Sequence, residues 1–508
     1  MTPSPSATDT AAGHPRRQLI LVIMCLSLVL IVAAVSSLNV AIPTIVRELQ
    51  PSSTEQLWII DSYALVFAGL LLFCGALGDR YGRKHALIVG MLIFAGASIL
   101  AAYADSPTQL IAFRGLSGIG AALIMPATLS TISVVFPPDE RAKAIAVWAG
   151  LAGAGGAIGP VASGLLLEWF WWGSIFFVAV PIVAIALVGI IAVVPNSAEL
   201  ERHPLDYVGA LLSVVMLVSL VFGIVEGPES GWLAGITLGA FAVGIVTLGL
   251  YLWWERRVEY PLLDPRHFLI PRFGLGSLTI TFAFFVMFGM FFLITLYMQF
   301  VLGWSALGAA VRLLPFSVVM IIVAPRNPIL TERFGSRQVI AAGFIVQASG
   351  FLIAATAFQP DSAYWVVLFA VIPMALGMAL LMPPTTNAII SALPQDKAGV
   401  ASAVNDTTRE VGGALGIALM GTLMTIGYQA GIEGTDGLPV ELAELAEDSV
   451  GGAFQVASQL EPAAAGPLIE SASSAYLDGT TFAFGLAGVV SLIMAGVITR
   501  FYPSDDAA

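Results

Sequence analysis

Leu77-Gly-Asp-Arg-Tyr-Gly-Arg-Lys84 is echoed by Leu330-Thr-Glu-Arg-Phe-Gly-Ser-Arg337, acid for acid, aromatic for aromatic and glycine for glycine. Ala122-Leu-Ile-Met-Pro-Ala-Thr128 returns in the same way as Ala379-Leu-Leu-Met-Pro-Pro-Thr385, again at an offset of about 255 residues. Chance similarity between apolar stretches does not produce matching charges and aromatics inside a loop. The chain is therefore read as an internal repeat.

The sequence around these octapeptides is too apolar for a soluble fold. Of 508 residues, 58% are hydrophobic and 11% charged, against roughly 25% charged in a soluble domain. The 33 acids exceed the 21 basic residues, so the cationic surface that nucleic acid requires is missing. Cys25 and Cys74 lie within apolar runs, which excludes a disulfide framework. What remains is an integral membrane protein.

A crossing helix needs about 20 apolar residues. Runs of that kind lie near 19–45, 56–77, 86–104, 108–135, 144–167, 171–194, 206–226, 234–254, 273–300, 306–330, 338–358, 363–391, 398–427 and 479–501. Their unbroken apolarity excludes the alternating pattern of a β-barrel. The expected fold is an all-α membrane protein of 14 transmembrane helices, in which two six-helix halves flank a two-helix insert. The expected divisions are a cytoplasmic tail 1–18, an N-terminal half 19–194, an insert with its flanking cytoplasmic loops 195–272, and a C-terminal half 273–508.

Charge sets the orientation. With the N-terminus inside, every Lys and Arg falls at the cytoplasmic side except Arg47, Arg114, Arg312 and Arg409. Segment 428–478 has nine acids and no basic residue, and is expected to be extracellular and mobile. The reading is a multi-pass protein of the cell membrane with both termini cytoplasmic.

Gly75-Ala-Leu-Gly-Asp-Arg-Tyr-Gly-Arg-Lys84 occupies the turn between spans 2 and 3. Gly75 begins it, Gly78 is read as allowing close helix approach, and Gly82 as suiting a tight turn. Arg80 adds positive charge, Asp79 can accept from a helix N-terminus, and Arg83 can pair with a carboxylate. In span 5, Gly155, Gly159 and Ser163 form a stripe of small residues, and Pro160 can bend the helix.

Ionisable groups within the spans are few and costly to bury. No histidine lies in a span, so acids must carry any proton. Asp61 and Arg114 stand at similar depth in spans 2 and 4. Asp406, Arg409 and Glu410 share one face of span 13. Arg409 can neutralise Asp406, which leaves Glu410 as the spare titratable group, about 18 Å into the span. Span 9 is rich in Phe, a composition that suits flat cargo but is equally common against lipid.

The decapeptide resembles the loop signature of the major facilitator superfamily, and Arg114-Gly-Leu-Ser-Gly-Ile-Gly120 resembles its fourth-helix motif. Gly155-Gly-Ala-Ile-Gly-Pro160 resembles the fifth-helix motif of its antiporters, with Ser163 at a position usually held by glycine. Trp58-Ile-Ile-Asp-Ser-Tyr63, Tyr297-Met-Gln-Phe-Val-Leu-Gly303 and Gly399-Val-Ala-Ser-Ala-Val-Asn405 with Arg409-Glu410 resemble the 14-span drug:proton antiporters. The first-helix signature of those exporters carries an acid where this chain has Ala34.

The resemblance implies proton-coupled efflux of small amphiphilic molecules by alternating access, with cations as one candidate class. It implies no cofactor beyond the proton gradient, no catalytic or metal-ligating set, and no nucleic-acid partner. The depth of the ionisable groups assigns coupling to Asp61, Glu410 and Arg114, and the resemblance assigns gating to the span 2–3 turn and the span 5 glycines. Cavity positions are Trp58, Tyr63, Asn39, Tyr297, Gln299, Asn405 and Arg409. A dedicated exporter of one metabolite or a proton-coupled importer is the alternative within transport; a membrane enzyme or receptor is the alternative of another class. Neither HExxH nor a phosphate-binding Gly-x4-Gly-Lys loop occurs.

Overall fold

The computed structural model describes residues 13–51, 53–197, 204–435 and 438–503. Arg202 and His203 lie outside the described residues, as does the side chain of Asn39. Among the described residues, sixteen helices follow in chain order. They are α1 Arg17–Leu49, α2 Ser53–Tyr81, α3 Arg83–Ala102, α4 Pro107–Val135, α5 Pro138–Trp169, α6 Ser174–Val193, α7 Tyr207–Ser230 and α8 Gly235–Glu255. The second series is α9 Pro271–Val301, α10 Ala306–Phe334, α11 Ser336–Ala357, α12 Tyr364–Ser391, α13 Ala398–Gly431, α14 Val440–Asp448, α15 Val450–Ala457 and α16 Pro462–Phe501.

Thirteen of these are long and apolar enough to cross a bilayer, and α5 makes a fourteenth as a bent pair, Pro138–Gly156 and Ile158–Trp169, at 42°. The bend has a local cause. Pro160 has no N–H to offer the carbonyl of Gly156, so the helical ladder lapses where the axis turns.

The sequence repeat is visible in the packing. In the first half α1 packs on α5 and α3 on α4; in the second, α9 packs on α13 and α11 on α12. The halves meet along two seams, α5 against α10 and α2 against α13, each the image of the other under the repeat. The insert is peripheral. Its α7 lies across the α2–α13 seam, with Trp58 stacked on Phe222 at 6.1 Å, and α8 leans on α7 with Val243, Ile245 and Val246 exposed as a lipid-facing strip.

Segment 428–478 departs from the sequence expectation of a mobile loop. The last span begins at Pro462 and runs 40 residues, about 60 Å, well beyond the roughly 30 Å of hydrocarbon. Between it and α13, helices α14 and α15 form a folded cap. Tyr428 donates to the Ala446 carbonyl at 2.7 Å, and Phe454 packs on Phe300 at 5.8 Å. Ala446, Val450, Ala453 and Val456 are buried beneath it. An acidic, alanine-rich sequence without a span-length apolar run still buries a helical stripe against neighbouring helices.

Candidate transport site

At the end of the bundle that carries the 75–84 turn, Asp79 is buried, with 5% exposure. Its Oδ1 accepts from Arg83 at 3.1 and 2.7 Å and from the Gly399 N–H at 2.9 Å; its Oδ2 accepts from the Val400 N–H at 3.0 Å. Gly399 and Val400 open α13, so a carboxylate of the first half caps a helix of the second. Arg83 also donates to the Gln395 carbonyl at 2.9 Å, a second tie across the halves. Arg80 lies over the Tyr81 ring and lines a cavity of about 110 Å³ together with Asp79, Asp206, Glu259, Asp396 and Lys397.

The glycines divide differently from the sequence reading. Gly82, with φ of +103°, holds a conformation open mainly to glycine. A Cβ on Gly75 would stand 2.6 Å from the Gly399 carbonyl, so the close approach belongs to Gly75. A Cβ on Gly78 would meet only Ala86, at an ordinary 3.6 Å. The repeated turn has the same backbone, with Gly335 at φ of +83°, but Glu332 is exposed. The buried lock exists on one side of the pseudosymmetry.

Helix α5 carries small residues on two faces. Gly155 and Gly159 face α1, where a Cβ on Gly155 would sit 2.9 Å from Val32 and the Ala33 backbone closes on Gly159. Ser163 is buried with an unpartnered hydroxyl. Gly150, Gly153 and Gly164 face α10 of the other half, against Met320 and Leu307, and Ser317 donates to the Ala154 carbonyl at 3.1 Å. This second face was missed in the sequence because its spacing is irregular.

Deeper in the bundle, Arg409 is the hub. Its guanidinium lies 4.7 Å from the Phe284 ring of α9 and 5.4 Å from the Trp148 ring of α5, so it bridges the halves. Trp148 is held in turn by donation to Thr128 Oγ1 at 3.2 Å. Arg409 Nη1 reaches Asp406 Oδ1 at 3.5 Å, and Asn405 Nδ2 reaches the same oxygen at 3.3 Å. Glu410, one turn beyond Asp406, is half-buried and within electrostatic range of Arg409 and of Tyr63 on α2. Neither Trp148 nor Thr128 stood out in the sequence.

Asp61 and Arg114, which the sequence puts at similar depth, do not form an ion pair among the described residues. Arg114 donates to the Ile59 carbonyl at 3.1 Å and lies 4.7 Å above the Tyr63 ring. Asp61 faces the insert, within electrostatic range of Glu226 and Glu229 as well as Arg114. Equal depth on two helices fixes height and leaves azimuth open, which is why the pairing failed.

The expected cavity residues scatter in the same way. Trp58 turns to the insert, and Tyr297 is buried, stacked on Phe358 at 4.6 Å and bonded to the Gln359 carbonyl. Gln299 lies in the same irregular turn, 297–301, at half burial. Tyr63, Asn405 and Arg409 do converge near the seam. Arg312, unassigned from sequence, rests over Trp304 at 4.4 Å and donates to the Gly308 carbonyl at 3.0 Å.

The sequence profile of the Major Facilitator Superfamily matches residues 24–417. The chain belongs to that superfamily. The multidrug efflux pump LfrA of Mycolicibacterium smegmatis is 35% identical over 498 residues, covering 98% of this chain and 97% of its own. The methyl viologen resistance protein SmvA of Salmonella typhimurium is 34% identical over 485 residues, covering 94% and 97%. The tetracenomycin C resistance and export protein of Streptomyces glaucescens is 32% identical over 481 residues, covering 92% and 89%. These relatives agree with the drug:proton antiporter branch of the superfamily. Among solved structures, the human organic anion transporter MFSD10 (TETRAN) superposes with a TM-score of 0.64 at 14% identity, covering 96% of this chain and 100% of that one. The proton:xylose symporter XylE gives 0.61 at 13% identity, covering 96% of each chain. Both share the fold.

Proposed function

We propose that this chain is a proton-coupled antiporter of the cell membrane that exports small amphiphilic molecules by rocking its two halves about the α5–α10 and α2–α13 seams. The basic end carries the 75–84 turn and faces the cytoplasm, as the positive-inside rule requires, with both termini there. The observation that carries the reading is Glu410. It is a half-buried carboxylate on the α13 face that also holds Arg409 against the other half. Taking up a proton from the acidic, extracellular end neutralises Glu410 and lowers the affinity for cargo; losing it to the cytoplasm restores the site. Asp61, beside Glu226 and Glu229, supplies negative charge on the outward route, and Arg114 lies against the ring of Tyr63, which is within electrostatic range of Glu410. The Asp79 lock holds the cytoplasmic end shut while the outer end exchanges, and the glycine faces of α5 let the halves slide at close contact. The drive is the proton gradient alone, with no cofactor or metal.

Export of a dication such as methyl viologen, named for one relative, suits a route on which Asp61 stands with Glu226 and Glu229 and is not tied into an ion pair with Arg114. The test uses inverted membrane vesicles with an acidic lumen and labelled methyl viologen. Each exchanged proton makes one pH unit worth about 1.4 kcal/mol, or tenfold in substrate concentration. Accumulation should appear on imposing the gradient and vanish on collapsing it, and Glu410→Gln should abolish accumulation while exchange of labelled for unlabelled substrate continues. Accumulation that survives collapse of the gradient, or that Glu410→Gln leaves intact, overturns the proposal.

A further inference from the structure

Among the described residues, two acid–arginine pairs are buried on helix faces, and they differ in how well each is satisfied. Asp79 fills both oxygens with four contacts at 3.1 Å or less. Asp406 is more deeply buried, with 1% exposure, yet among the described residues its polar partners are both on Oδ1, at 3.3 Å from Asn405 and 3.5 Å from Arg409. Asp406 Oδ2, Arg409 Nε and Asn405 Oδ1 are all buried without a partner. A buried ion pair repays its desolvation only when the remaining donors and acceptors are satisfied. Asp79–Arg83 meets that condition. Asp406–Arg409 does not.

Among the described residues, the surroundings of Asp406 are otherwise free of charge. Arg409 and Glu410 are the charged groups within electrostatic range of it. Of the helices packed on α13, α9 and α12 have no ionisable side chain between their terminal turns, and α5 presents the neutral Trp148. The titratable groups of α2 and α4 along this stretch are Cys74, which is buried one residue before Gly75, and Tyr63 and Arg114, which lie against each other; Tyr63 is within electrostatic range of Glu410. Glu226 and Glu229 of α7 lie toward Asp61, Tyr476 of α16 bonds to the Leu293 carbonyl, and Asp448 of α14 stands by Tyr428. One turn toward the basic end, Ser402 has a buried hydroxyl with no partner, and so does Thr131 of α4.

We infer that Asp406 is a second proton-carrying carboxylate, in series with Glu410, and that its charge state sets how Arg409 holds Trp148 across the seam. The inference rests on the coupling role proposed for Glu410. In the transfer step the carboxyl O–H of Glu410 gives up its proton, through an intervening water or hydroxyl, and the proton ends on Oδ2 of Asp406. Glu410 is left as the carboxylate, Asp406 becomes neutral, and no other bond changes. The counter-charge of Arg409 thereby moves from Asp406 to Glu410, one turn toward the acidic end and away from Trp148. Ser402 and Thr131 continue the route inward.

The test is made on the full-length protein in liposomes with an imposed gradient of one pH unit. Asp406→Asn should lower gradient-driven accumulation about tenfold, the whole contribution of one proton, while substrate exchange continues; Asp406→Glu should restore accumulation. Loss of exchange together with accumulation, without rescue by Asp406→Glu, identifies a structural pair and overturns the inference. Full accumulation in Asp406→Asn, with accumulation lost in Glu410→Gln, overturns the relay and leaves the role of Glu410 standing. Full accumulation in Glu410→Gln overturns both. An independent measurement needs no variant at 406. A hydrophobic carbodiimide modifies protonated carboxyls, so mass spectrometry of the treated wild-type protein should find an adduct on Asp406 that diminishes as pH rises. An unmodified Asp406 beside a modified Glu410 overturns the inference.

Discussion

Replacing Asp79 with Asn isolates the lock at the basic end. The Arg83 contacts lie within one turn of chain and persist whichever way the halves rock, so they cancel between states. What differs is the pair of bonds to the Gly399 and Val400 N–H groups at 2.9 and 3.0 Å. Hydrogen bonds to a charged group contribute about 1.5–3 kcal/mol each. Asn retains one neutral acceptor and loses the charge facing the α13 N-terminus, so about 3 kcal/mol of preference for the closed end should vanish. That shifts the equilibrium about 150-fold. Ser133 reports on it, being buried at this end of α4 with its carbonyl 3.5 Å from Gln395 Nε2 of the opposite half. In a background with Cys25 and Cys74 replaced by serine, Ser133→Cys should be alkylated about a hundredfold faster when Asp79→Asn is added. Flux should fall severely at unchanged membrane abundance. Wild-type flux with unchanged alkylation would refute the lock.

Gly75→Ala should impair transport like Asp79→Asn, because its Cβ would press on the Gly399 carbonyl at 2.6 Å, whereas Gly78→Ala, meeting Ala86 at 3.6 Å, should transport normally in the same flux assay. Asp61→Asn should weaken export of dicationic probes more than of neutral ones, measured as the ratio of growth-inhibiting concentrations for matched compounds; equal loss for both would remove Asp61 from cation recognition. Ser458→Cys, exposed at the end of α15, should react with a membrane-impermeant reagent on intact cells, and reaction only after lysis would place the cap on the cytoplasmic side.

Much of the fold was readable because hydropathy reports directly on burial in lipid, and the repeated octapeptides located the halves. The capping role open to Asp79 was readable too, since an acid followed by Arg four residues on, in a glycine-bracketed turn, has few other uses. Contacts that depend on helix azimuth were not. Asp61 and Arg114 share a depth without sharing a face, and Trp58 and Tyr297 turn toward the insert and the α11–α12 loop instead of the seam. Trp148 carries no motif, and its meaning arises only where Arg409 arrives from the other half. The cap formed by α14 and α15 stayed hidden because short amphipathic helices bury little apolar sequence each, and hydropathy averages across their polar faces.

The direction of proton movement tests the central claim most directly. Purified protein is reconstituted into liposomes loaded with substrate and a pH-sensitive dye, with no imposed pH gradient, and substrate is allowed to run out. Antiport predicts that the lumen acidifies as substrate leaves, that a protonophore removes the dye response, and that Glu410→Gln abolishes it. A lumen that turns alkaline would establish symport, and an unchanged lumen during substrate efflux would establish uncoupled transport; either result contradicts the account.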